Sequence, residues 1–210
     1  MPLKKENKNW LKRAMKLKMS LSCISGILVI LFYCIFTFIA ITLFPLPLNP
    51  IDNWLSDLGN SGYSPNGAIF FNIGCILTGS ALFPFYIGLH KWYREEKWQK
   101  FLLIITQIIG CSSGFTEIMI GIFSENFQPE HSNWSYTFFT LNLIVLVLGS
   151  IVLFNHPDFI KPIGYYGIGV AVINLLFVFF IVTPILEWFT VLTALGYVGL
   201  VVYNMYKIID

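Results

Sequence analysis

The stretch L-S-C-I-S-G-I-L-V-I-L-F-Y-C-I-F-T-F-I-A-I-T-L-F, residues 21–44, contains no charged residue. A helix needs about 20 such residues to cross a hydrocarbon core of ~30 Å. A helix also pairs its own backbone N–H and C=O groups, which lipid cannot do for it. The run is too long for a signal-peptide core, and no A-x-A-type cleavage site follows it. With the lysine-rich tail M-P-L-K-K-E-N-K-N-W-L-K-R-A-M-K-L-K ahead of it, it reads as an uncleaved signal anchor.

Five more apolar segments follow, so helices are predicted at about 20–44, 67–89, 101–123, 135–154, 162–184 and 187–206. The 210-residue chain is 56% hydrophobic and 11% charged, against ~25% charged in soluble domains. The expected fold class is therefore all-α: a polytopic integral membrane protein, a six-transmembrane-helix bundle. Residues 1–19 form a basic cytoplasmic segment and 20–210 the membrane domain. Pro162 suits the first turn of the fifth helix. Thr183-Pro184 is expected to end that helix, and Pro84 predicts a kink in the second.

Basic residues set the orientation. Seven of the 13 Lys/Arg lie in the N-terminal tail. Lys91, Arg94, Lys97 and Lys100 fall in the second loop, Lys161 in the fourth, and Lys207 at the C-terminal end. In a six-helix topology all of these share one face, so both termini are expected in the cytoplasm, with the cell membrane as the location. The N-terminal segment also suits contact with anionic lipids. A net charge of +2 points to no nucleic-acid partner, and membrane lipids are the expected partners. Trp54, Trp134 and Trp188 are expected at one interface and Trp10, Trp92 and Trp98 at the other. Cys23, Cys34, Cys75 and Cys111 lie in apolar segments without C-x-x-C spacing and read as packing residues.

Acids gather at the opposite, outer end. N-W-L-S-D-L-G-N-S-G, residues 53–62, follows Asp52 and holds Asp57; the other long outer loop, S-E-N-F-Q-P-E-H-S-N-W, spans 124–134. Glu117 lies within the third helix, and an intramembrane carboxylate costs about 2.5–3.5 kcal/mol on insertion scales. Gln107, Gly110, Gly114, Glu117 and Gly121 recur at spacings of 3 and 4, one helical face. Their G-x-x-x-G predicts close approach of another helix. His131, Ser135, Phe138 and Asn142 make a similar stripe, Asn72 sits near the top of the second helix, and Glu187 opens the sixth and suits its positive dipole end. The expected binding pocket comprises Ser56, Asp57, Asn60, Asn72, Glu117, Glu125, His131, Asn142 and Glu187, all in the outer third of the bundle.

Two chemistries suit this cluster. Asp57, Glu117, His131 and Glu187 could hold a divalent cation through hard ligands. Alternatively Asp57, Glu117 and His131 could act as general acid and base. Ser56, Ser124 and Ser132 lack a G-x-S-x-G elbow. Asp57 itself has two readings: it caps its own turn, or it completes the pocket with Glu117 and His131. The glycines around it are expected to permit a tight re-entrant turn.

The stretch W-L-S-D-L-G-N-S-G-Y-S-P-N-G-A-I-F-F-N-I-G, residues 54–74, resembles the signature of a six-helix family known as domain of unknown function 998. The matching positions are Ser56, Asp57, Leu58, Gly59, Asn60, Pro65, Asn66, Phe71, Asn72 and Gly74. Glu125, His131 and Glu187 are similar to later family features. A more distant likeness is to the DRAM-like family of autophagy modulators and GPI-anchor remodelling proteins. Leu58 and Pro65-Asn66 stand here where that family has threonine and proline-glutamate. The resemblance implies a fold and a site, and no reaction. The leading functional expectation is recognition or processing of a lipid or lipid-linked headgroup, with a divalent cation as a possible aid. The alternatives are a noncatalytic scaffold docking a partner through the S-D-L-G loop, and a proton- or cation-coupled transporter.

Overall fold

The computed structural model describes residues 20–45 and 47–209. The basic segment expected at 1–19, with Trp10, lies outside the described residues. Six helices follow in chain order: α1 (Leu21–Thr42), α2 (Ala68–Ile87), α3 (Lys97–Ile122), α4 (Glu130–Phe154), α5 (Lys161–Phe179) and α6 (Pro184–Ile209). No strand occurs among the described residues, and all six helices are long and apolar enough to cross a membrane. Two 3-10 turns, Ser56–Gly59 and Gly88–Trp92, complete the ordered elements.

Ser20 starts α1: its hydroxyl accepts the Cys23 N–H at 3.2 Å, satisfying one of the orphan donors of the first turn. Pro84 lies inside α2, which passes into the Gly88–Trp92 turn one turn later. Proline cannot donate to the Ser80 carbonyl, so the helix is weakest there. α4 begins at Glu130, five residues before the predicted start. His131 and its neighbours, read as loop by polarity, form a first turn whose Glu130 suits the positive helix end. α5 stops at Phe179 instead of 184, because Pro184 opens α6 and biases Thr183 towards extended backbone.

Each helix packs on its chain neighbours, and α6 returns to α1. The Cys23 thiol meets the Val202 carbonyl and Ser22 meets Met205, so the start of α1 lies beside the end of α6. α5 lies between α4 and α6 and packs on both. There Gly167 faces Ser150 and Tyr197, whose hydroxyls bond each other at 3.3 Å. Between helices in lipid there is little hydrophobic drive, so close packing and hydrogen bonds hold the bundle together. α2 meets α3 backbone to backbone. A Cβ on Gly79 would stand 2.5 Å from the Gly114 carbonyl oxygen, and one on Gly121 would stand 2.5 Å from that of Asn72. The G-x-x-x-G face of the third segment is indeed a helix contact.

At the basic end, Arg94 donates to the Asn155 carbonyl at 3.1 Å, tying the second and fourth loops. Lys161 donates to the Phe154 and His156 carbonyls at the negative end of α4. Trp92 is 4% exposed and sits edge-on to Phe159 and His156. Trp188 is also buried. These two tryptophans are packing residues and do not anchor an interface as the belt reading expected.

Candidate functional site

The 3-10 turn Ser56–Gly59 is built from S-D-L-G at the end opposite the basic loops. Asp57 reaches back along its own chain, its Oδ2 accepting the Trp54 N–H at 3.0 Å and the Asn53 amide at 3.3 Å. Of its two readings, the turn cap is the one the geometry realises. Leu55 and Leu58 drive their side chains into the bundle, at 2% and 0% exposure. The Gly59 carbonyl accepts from Asn72 Nδ2 at 3.1 Å, and a Cβ on Gly59 would stand 2.6 Å from Asn72 Oδ1. No described glycine has positive φ. Gly59 is therefore there for space against Asn72, which corrects the expectation that the glycines serve a re-entrant turn. Asn60 Oδ1 accepts from Gly62 N–H and from Asn126 Nδ2, while Asn126 Oδ1 accepts the Ser61 N–H at 2.9 Å. Asn60 and Asn126 thus stitch the first and third loops together.

The turn is held down from the far end of the chain. Glu187 Oε2 accepts the Leu55 N–H at 2.7 Å, and Trp188 Nε1–H donates to the Asn53 carbonyl at 3.0 Å. Glu187 lies in the first turn of α6, as expected of a dipole-friendly acid, yet its hydrogen bond caps another element.

Beneath the turn lies a cavity of about 100 Å³, walled by α1, α2, α3, α4 and α6. At ~10–15 Å³ per water-sized group it has room for roughly seven to ten of them. Its wall changes character along the bundle axis. Ser56, Glu117, His131, Ser135 and Glu187 line the end under the turn. Thr78, Ser113 and Asn142 follow, and the Thr78 and Ser113 hydroxyls are buried without a partner. The remainder, towards the basic end, is aliphatic and aromatic apart from Thr106, with Leu82, Phe85, Leu89, Val145, Leu146 and Val198 among its walls. Asn142 is twelve residues into α4, ~18 Å at 1.5 Å per residue. It stands near mid-bundle and not in the outer third, because α4 starts earlier than polarity implied.

Glu117 is 5% exposed, with the Cys75 thiol set against it. His131 is equally buried, and its Nδ1 lies 2.8 Å from the Phe123 carbonyl. A carbonyl only accepts, so Nδ1 carries a proton, and in the neutral ring Nε2 is the free lone pair. A second cavity of about 360 Å³ shares the Ser56, His131, Ser135, Phe139 and Glu187 wall. It opens between α4 and the C-terminal end of α5, past Tyr136, Phe177 and Val182. Glu125 stands on its rim.

Of the nine residues expected in one pocket, Ser56, Glu117, His131, Asn142 and Glu187 line the chamber and Glu125 the adjoining cavity. Asp57, Asn60 and Asn72 line neither; they build the loop above. The expected cation set of Asp57, Glu117, His131 and Glu187 is not gathered: among the described residues no three His, Cys, Asp or Glu stand close enough to hold a metal ion. Asp57 is engaged by Trp54 and Asn53, and Glu187 by Leu55. The same displacement of Asp57 takes it out of the acid–base set with Glu117 and His131. Tyr33, Cys75, Thr78 and Ser113 also line the chamber, beyond the expected set. Ser113 was legible: Thr106, Gly110, Ser113 and Glu117 follow spacings of 4, 3 and 4 on one face.

Burial, with the Asp57 carboxylate alongside, pushes the Glu125 carboxyl up to about 7, and its Oε2 is buried without a partner. The folded state thus favours the protonated acid. Stability is full below the ordinary value of 4.5 and falls as pH rises towards 7. A Glu125→Gln variant, which mimics the neutral acid, should narrow the gap in melting temperature between pH 5 and pH 8 seen in the wild type. An unchanged gap would show that Glu125 is not its source.

A family model described as Protein of unknown function (DUF998) matches residues 27–205. No curated protein and no solved structure matches the chain.

Proposed function

The chain belongs to the DUF998 family of proteins of unknown function, and from that premise we propose that it takes up a lipid-like amphiphile. One aliphatic chain occupies the chamber, and its head lies at the Glu117, His131 and Glu187 end. The observation that carries the reading is the polarity gradient of the chamber wall, from acids and hydroxyls to leucine, valine and phenylalanine along one axis. A chamber built for water or an ion would not be lined so extensively by apolar side chains, whereas a methylene chain passing from lipid tails to such walls stays in apolar surroundings. The side cavity supports entry from the bilayer, since its outer wall is Tyr136, Phe177 and Val182. The clustering of basic residues at the opposite end supports a motif end that faces outward, with both termini in the cytoplasm of a cell-membrane protein.

The test is saturable binding of a fluorescent single-chain amphiphile to the full chain in an uncharged maltoside detergent. Binding of one probe per protein is expected. Ala194, at the chamber wall, offers the control: Ala194→Trp fills the space and should weaken binding more than about tenfold while the protein still elutes as a folded species. Non-saturable uptake, equal in both proteins, would mean that the probe coats the lipid-facing surface and the chamber takes no chain.

A further inference from the structure

Serine and threonine in a membrane helix ordinarily return their hydroxyl to a carbonyl one turn back. Ser80 on α2 donates to the Ile76 carbonyl at 2.7 Å, and Ser112 on α3 to that of Ile108 at 3.1 Å. Thr106, which lines the chamber, donates to the Leu102 carbonyl at 2.8 Å. Thr78 and Ser113 make no such bond. Both line the chamber, at 4% and 1% exposure, and neither hydroxyl has a partner among the described residues. They stand at one level. The Cys75 thiol on α2 lies against Glu117 on α3. Thr78 is three residues past Cys75 and Ser113 four before Glu117, so in these antiparallel helices both lie ~5–6 Å further towards the basic end. The backbone contact of Gly79 with Gly114, the residues that follow them, fixes the two helices there. Buried hydroxyls are normally paired, and this level of the wall holds two donors without an acceptor.

We infer that this level receives the ester carbonyl of the ligand, which makes the ligand a single-chain acyl ester. The wall then follows the order of such a molecule: polar groups for the head, two hydroxyls for the ester, and aliphatic and aromatic side chains for the chain. The ~6 Å between Glu117 and this level leaves room for a head the size of glycerol. Ester oxygens accept and never donate, and a carbonyl oxygen carries two lone pairs, so an ester suits hydroxyls that both still have a proton to give. A bare methylene at the same level leaves both hydroxyls unpaired, and an alkyl ether lacks the carbonyl oxygen. The ester assignment rests on the amphiphile reading above and adds the linkage between head and chain.

The experiment displaces the fluorescent single-chain probe from the full chain with 1-dodecanoylglycerol and 1-dodecylglycerol, which share head and chain length and differ in the carbonyl. The ester is expected to displace at a concentration about tenfold below the ether. Thr78→Val and Ser113→Ala should each shrink that ratio and together bring it close to one. Displacement by the ether should persist in each variant and report a folded protein. Without ligand, Thr78→Val should melt no lower than the wild type, since it removes a buried hydroxyl that has no partner to lose. Equal potency of ester and ether in the wild type overturns the assignment, and so does a ratio that survives both substitutions. A lower melting temperature of ligand-free Thr78→Val overturns it as well, because the hydroxyl would then already be paired inside the protein. Absence of any displaceable probe would instead bring down the chamber reading itself.

Discussion

Gly79→Leu will leave no monodisperse protein after extraction into detergent. The Cβ alone would stand 2.5 Å from the Gly114 carbonyl oxygen, 2.8 Å from Ile118 Cγ1 and 2.9 Å from the Ile118 nitrogen. Two of those three atoms are backbone, so no rotamer change relieves the clash; α2 and α3 must separate. Overpacking of a core costs ~1–3 kcal/mol when side chains can move, and more is expected where they cannot. Separation also forfeits the dispersion contacts that hold helices together in lipid. Gly169→Leu is the matched control. It lies on exposed α5 surface with nothing within 4 Å of its Cβ, and glycine in a helix interior is ~1 kcal/mol worse than alanine. Gly169→Leu should therefore extract as well as the wild type, read by gel filtration. Similar profiles for the two variants would contradict the α2–α3 contact.

Glu187→Leu should release the motif turn. Leu55 is 2% exposed, so its N–H loses the acceptor 2.7 Å away without gaining water. Leaving a buried donor unpaired costs about 1–3 kcal/mol, and more when the lost partner is a carboxylate. Hydrogen exchange at the Leu55 and Ser56 amides should quicken by more than about tenfold, while amides in the middle of α2 and α3 stay protected. Glu187→Gln keeps an acceptor oxygen and should fall between. Unchanged exchange in Glu187→Leu would mean that Asp57 and Asn72 hold the turn by themselves.

The helices were legible because lipid imposes a length and a composition that chance rarely meets. Their ends were less so. Polarity placed H-S-N-W in a loop, yet a turn of helix forms there, since the start of a helix tolerates polar side chains. Thr183-Pro184 was read as a stop, and it is a start. The face of α3 was read correctly from Gly110, Gly114 and Glu117, because a 3–4 spacing fixes direction whatever the partner. The loop acids could not be sorted in the same way. Asp57 and Glu187 look alike in sequence; one caps the turn three residues behind it, and the other reaches a backbone N–H on another helix's loop. Which oxygen meets which N–H is decided by how six helices stack. Tyr33 and Cys75 carry no signal of their own, as each is an ordinary member of an apolar run.

The bond between Glu187 and Leu55 spans 132 positions of the chain. Ribosomes add ~5–20 residues per second, so the first loop exists for roughly 7–26 s before its acceptor has been translated. Through that interval Leu55 and Leu58 have no sixth helix to rest on, and the loop must be sheltered by the insertion machinery or by water. Arrival of the last span therefore completes the first loop, and a chain halted before it would leave the Leu55 N–H without that acceptor.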